Sequence, residues 1–122
     1  MTTKTVMTVS AVIETVTGLV LIANPGLAAR VLLGADLPAS GVAVGRLCGI
    51  GLLSLGLACW PNGASAPSHS VWSLVTYNLL AALYLGYLRV GGGFVSYLLW
   101  PASLLHAALA LLLARPAWQK FR

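Results

Sequence analysis

Four long apolar stretches, separated by short runs rich in Pro, Gly and Asn, fill almost the whole chain and hold hardly any charge. A helix needs about 20 mainly apolar residues to cross the hydrocarbon core of a bilayer. Residues 6–23, 41–60, 71–88 and 94–113 come close to that length, and no β-type alternation competes with them. Only 7% of the residues are charged and the mean hydropathy is +0.92. A soluble domain uses roughly 25% charged residues to cover itself in water, and a small one has more surface per unit volume to cover. The solvent around this chain is therefore expected to be lipid. The predicted fold is all-α: a single integral membrane domain over residues 1–122, with four antiparallel transmembrane helices. Four spans leave no room for a soluble domain, so any function must lie inside the bundle, on its loops or on a partner.

The punctuation between the spans is legible. After the first span, Asn24 can cap a helix, Pro25 suits its first position and Gly34 its end. Leu27, Val31 and Leu32 would form an apolar side while Arg30 reaches water, which predicts a two-turn helix at the interface. Asp36, Pro38 and Ser40 then turn the chain. Pro61, Asn62, Gly63 and Pro67 mark the next loop, and Arg89 with Gly91, Gly92 and Gly93 the last. Lys4, the apolar run and the small residues Ala28 and Ala29 could be read as a cleaved signal, but Glu14 and Pro25 favour a retained span.

The net charge of +5 would suggest nucleic acid on a soluble protein. Here the basic residues cluster at span ends, where they meet lipid headgroups and set orientation. Lys4, Arg115, Lys120 and Arg122 share one side, against Arg30 and Arg89 with Arg46 dipping in from the other. That imbalance predicts cytoplasmic termini, with Trp60, Trp72 and Trp118 in the inner aromatic belt and Tyr87 and Tyr97 near the outer one. Cys48 and Cys59 fall in one span, roughly 16 Å apart along a helix axis, too far for a disulfide. They read as packing residues.

Polar residues inside the spans are the candidates for function. Ser10, Glu14, Thr17 and Gly18 recur at helical spacing and must face the bundle, because lipid offers no hydrogen bonds. Glu14 sits near mid-span, where an ionisable group is costly and needs a partner. Arg46, about five residues into the second span, differs in depth by roughly 9 Å and is the expected partner. A bound pair would either hold a polar ligand or fix helix register; replacing both members should then recover stability lost on replacing one. Asn78 and His106 reach the depth of Glu14 when the spans are laid antiparallel, and the four would line a small polar pocket. His106 reads either as a packing residue or as a proton relay.

Tyr77, Tyr84 and Ser73 share one face of the third span; the tyrosines can pack across helices or stack on a flat ligand such as a quinone. Gly41, Gly45 and Gly49, continued by Gly56, make a seam for close approach of the first helix or of a second copy. Pro101 is expected to kink the fourth span and free the carbonyl of Tyr97. There is no phosphate-binding Gly-rich loop, no HExxH, no CxxC and no plausible Ser-His-Asp set, so no catalytic constellation and no metal site are predicted.

Glu14 followed by Gly18, then Pro25, Gly34, Arg46 and Gly49, resembles small four-helix bacterial membrane proteins of the DoxX-like superfamily. The likeness extends over the hydropathy of nearly the whole chain. It implies a four-helix bundle in a bacterial inner membrane, with roles in quinone-coupled oxidation or in helping membrane partners assemble. Two readings follow for function. One is a protein that binds or transports a small polar or protonatable ligand in a pocket of Glu14, Arg46, Asn78 and His106, working as a homo-oligomer to complete a path. The other is a non-catalytic subunit or assembly factor of a larger membrane complex, or its quinone-site subunit. The lipid bilayer is the partner common to both.

Overall fold

The structure is a computed structural model and describes residues 1–63 and 66–119; Lys120 and Arg122, counted above toward cytoplasmic termini, lie outside the described residues. Five helices follow in order: α1 (Thr3–Ala23), α2 (Pro25–Leu33), α3 (Ala39–Ala58), α4 (Ser68–Val90) and α5 (Leu99–Gln119). The described residues contain no strand. All but α2 are long and apolar enough to cross a membrane, so the chain is a multi-pass membrane protein in architecture.

Local chemistry explains the boundaries. The Thr2 hydroxyl accepts from Thr5 N at 3.2 Å and opens α1. The Asn24 side chain accepts from Leu27 N at 3.0 Å, with Pro25 behind it, and opens α2. Gly34, at φ +70°, ends α2 in the left-handed conformation that glycine adopts without strain. Arg30 at the end of α2 meets Asp36 across the turn at 2.5 Å, both fully in the open. Exposure limits that pair to at most about 1 kcal/mol.

The fourth long helix departs from expectation. It begins at Leu99, five residues later than the apolar run suggests, because Gly91–Leu98 form an irregular turn with Gly93 at φ +76°. Pro101 consequently falls in the first turn of α5, where backbone N–H groups have no intrahelical acceptor and proline is tolerated. It does not kink the helix, and Tyr97 precedes the ladder altogether. The proline inside α5 is Pro116, near its end. Pro101→Ala is therefore expected to change stability by no more than about 0.5 kcal/mol, read from detergent unfolding; an interior kink would give a much larger change.

The long helices pair into two hairpins, α1 with α3 and α4 with α5. The glycine seam belongs to the first. A methyl group placed on Gly49 would stand 2.7 Å from the Gly18 carbonyl oxygen, and one on Gly56 would stand 2.8 Å from that of Ala11. Gly45 meets Pro25 at the start of α2, while Gly41 faces its own approach, Leu37 and Pro38. The seam thus binds α1 within the chain, with Gly41 outside it. In the second hairpin, the Ser103 hydroxyl donates to the Ala82 carbonyl at 2.8 Å.

The hairpins meet at two places. At the end that carries the termini, Val6, Met7, Cys59, Val71, Leu74, Val75, Leu109 and Leu113 form the core. At the other end the Ser96 hydroxyl donates to the Val31 carbonyl at 3.1 Å. Trp60, Trp72 and Trp118 are exposed near the first end and Tyr87 and Tyr97 near the second, the placement expected of interfacial aromatic belts.

Candidate functional site

Between those two junctions lies a chain of polar side chains at mid-helix depth. Ser10 from α1 and Asn78 from α4 are both fully buried. Asn78 Nδ2 donates to Ser10 Oγ at 3.0 Å and to the Leu74 carbonyl at 2.8 Å. Because a carbonyl only accepts, the amide must be turned this way round, and Asn78 Oδ1 faces His106 Nδ1 on α5 at 2.8 Å. A carboxamide oxygen has no proton to give, so His106 carries its hydrogen on Nδ1. Three helices are stitched together through one asparagine.

Tyr77, the neighbour of Asn78 on α4, sets its ring edge-on to His106, with centroids 5.8 Å apart and planes at 83°. Its hydroxyl lies beside the carboxyl of Glu14. Glu14 is 1% exposed, and its Oε1 has no hydrogen-bond partner among the described residues. Burying a carboxyl oxygen without a partner is costly. The Thr15 hydroxyl beside it is also buried and unpartnered.

Ser10, Glu14, Tyr77, Asn78 and His106 are therefore brought together. Arg46 is not. It is exposed on α3 and forms no salt bridge among the described residues, where the pair is Arg30 with Asp36. At roughly 100° per residue, Arg46 lies about 100° around the helix from Gly45 and about 60° from Gly49, off the seam. Cys48 lies on the flank nearer Tyr77. Reach along the axis was not enough, because the seam fixes the rotation of α3. Glu14→Gln and Arg46→Gln should accordingly act additively on unfolding free energy, within about 0.5 kcal/mol, with no recovery in the double variant.

Thr17 also departs from the predicted stripe. It lies seven residues after Ser10, only about 20° away around the helix, yet it is exposed whereas Ser10 is fully buried. The face of α1 that α4 covers at Ser10 is uncovered at Thr17, so the hairpins part just beyond Glu14. Tyr84 and Ser73 leave the site as well: Tyr84 is exposed and stacks on Tyr87, and Ser73 donates back to the His69 carbonyl at 2.9 Å.

Sequence reasoning missed Ser103, which ties α5 to α4 three residues before His106. A hydroxyl sharing a helix face with His106 was the available signal. No three His, Cys, Asp or Glu side chains among the described residues gather closely enough to hold a metal ion. The arrangement can accept hydrogen bonds and hold charge, and it offers no nucleophile with a base beside it. Compared with protein-family models, with curated proteins and with solved structures, the chain finds no match.

Proposed function

We propose that this is a small bacterial inner-membrane protein of the DoxX-like four-helix kind that binds, and in an oligomer transports, a small polar or protonatable ligand at Glu14, Tyr77 and His106. The observation that carries this reading is the buried Glu14 carboxyl, whose Oε1 has no partner among the described residues. Most buried side-chain polar atoms in folded proteins have a hydrogen-bond partner, so an ionisable one without any points to a partner from outside the chain. Cytoplasmic termini complete the proposal, supported by Lys4 and Arg115 at that end of the bundle.

Native mass spectrometry of the protein released from mild detergent tests it. A retained small molecule that disappears in Glu14→Gln is the expected result, and a bare chain in both would count against it. Reporter fusions at each terminus test orientation independently.

A second reading, that of a non-catalytic subunit, is favoured by Arg46. A charge on a spanning helix, turned away from the rest of its own chain, needs an anionic partner or a route to the headgroups. Co-purification with one fixed larger membrane protein, lost in Arg46→Leu, would favour that role.

A further inference from the structure

We propose that the ligand at this site is a protonated amine carried on an apolar body, held by Glu14 and by the lone pair of His106 Nε2. The inference rests on the binding role proposed above and gives it a ligand class.

Three observations lead there. First, the free hydrogen-bonding capacity of the site is for accepting. Asn78 is fixed by the Leu74 carbonyl, and its oxygen fixes the His106 hydrogen on Nδ1. The neutral ring then presents Nε2 as an acceptor, and Nε2 has no hydrogen bond among the described residues. Glu14 Oε1 adds a second acceptor. A ligand that satisfies both must bring N–H or O–H groups.

Second, the Glu14 carboxyl has no cation paired with it among the described residues. Arg46 projects away from it, Lys4 and Arg115 sit at one end of the bundle, and Arg30 and Arg89 sit at the other. A carboxylate at this depth is stabilised by a positive charge brought in beside it. Tyr77, next to the carboxyl and edge-on to His106, supplies an aromatic ring of the kind that attracts ammonium groups.

Third, there is a way in. The α1 face is open at Thr17, one turn beyond Glu14, although Ser10 on the same face is fully buried. Val16 and Val20 flank it on α1 as exposed apolar walls. An amine with a hydrocarbon body matches such walls, whereas a fully hydrated ion does not.

The test compares benzylammonium with benzyl alcohol, which has the same apolar body and no charge, on the full chain in lipid nanodiscs by calorimetry and ligand-observed NMR. Benzylammonium is expected to bind saturably and at least about tenfold more tightly than the alcohol. Glu14→Gln should abolish that preference, while Arg46→Gln should leave it unchanged. Equal binding of both probes to the unaltered protein overturns the amine assignment, whatever the fate of the Glu14 variant. Labelling by dicyclohexylcarbodiimide, read as an added mass on Glu14, separates the two levels of failure. Glu14 labelled, and protected by the alcohol as well as by the amine, leaves a pocket but sinks the amine. An unreactive Glu14 with neither probe bound sinks both the amine and the binding role.

Discussion

Replacing Gly49 with leucine is expected to drive α1 and α3 apart and to cost about 3 kcal/mol or more of stability. Even a first methyl group at this position would meet the Gly18 carbonyl oxygen at 2.7 Å, Leu21 Cβ at 2.8 Å and Ile22 N at 2.9 Å. Two of those atoms are backbone and cannot rotate aside, so the helices themselves must move. Close backbone approach is a main source of helix association in lipid, where no hydrophobic force separates helix from solvent. The loss therefore combines strain with forfeited packing along the whole seam. Gly51, two residues on, has nothing within 4 Å of an added methyl, and Gly51→Leu should be nearly neutral. Unfolding in mixed detergent micelles, followed by tryptophan fluorescence, distinguishes them; equal effects at both positions would mean that the glycine seam does not hold α1.

Asn78→Leu should have the next largest effect, about 2–3 kcal/mol. The asparagine makes three hydrogen bonds, to Ser10 Oγ, the Leu74 carbonyl and His106 Nδ1. Interhelical bonds in membranes average only about 0.6 kcal/mol each, so their sum alone would be modest. The larger part comes from what is left behind: a buried Ser10 hydroxyl and an imidazole N–H facing leucine. The same detergent titration reads the stability. Nitrogen NMR of the imidazole reads the cause, because without the amide oxygen His106 loses its reason to keep the hydrogen on Nδ1. A variant that was destabilised yet kept that tautomer would show that another group fixes the ring.

How much of this was legible beforehand differs by residue. Span number, the Asn24–Pro25–Gly34 punctuation of α2 and the similar depth of Glu14, Asn78 and His106 follow from hydropathy and a constant rise per residue. Rotation about each helix does not. It is set by which small residues meet, and the Gly18–Gly49 approach turns Arg46 outward and leaves Cys48 on the flank nearer Tyr77. Thr17 failed for a different reason: a helical face stays polar along its length, but the neighbour that covers it need not run parallel. At Pro101 the apolar run hid a helix start, because Phe94, Val95 and Leu98 are as hydrophobic as any span residue while Gly93 and Ser96 direct the backbone into a turn.

The division into two hairpins has a consequence for how the chain is made. Each hairpin has its own internal fastening, the glycine seam in one and the Ser103–Ala82 bond with the α4–α5 face in the other. The amino-terminal half can therefore close in the bilayer while the carboxy-terminal half is still on the ribosome. What remains is a docking of two finished pieces, and the Asn78 amide, already held by Leu74 and His106 within its own hairpin, meets Ser10 only when the two pieces arrive at matching height. One asparagine then acts as an inspector of assembly, since a slip of one hairpin against the other by a single turn carries Ser10 out of its reach.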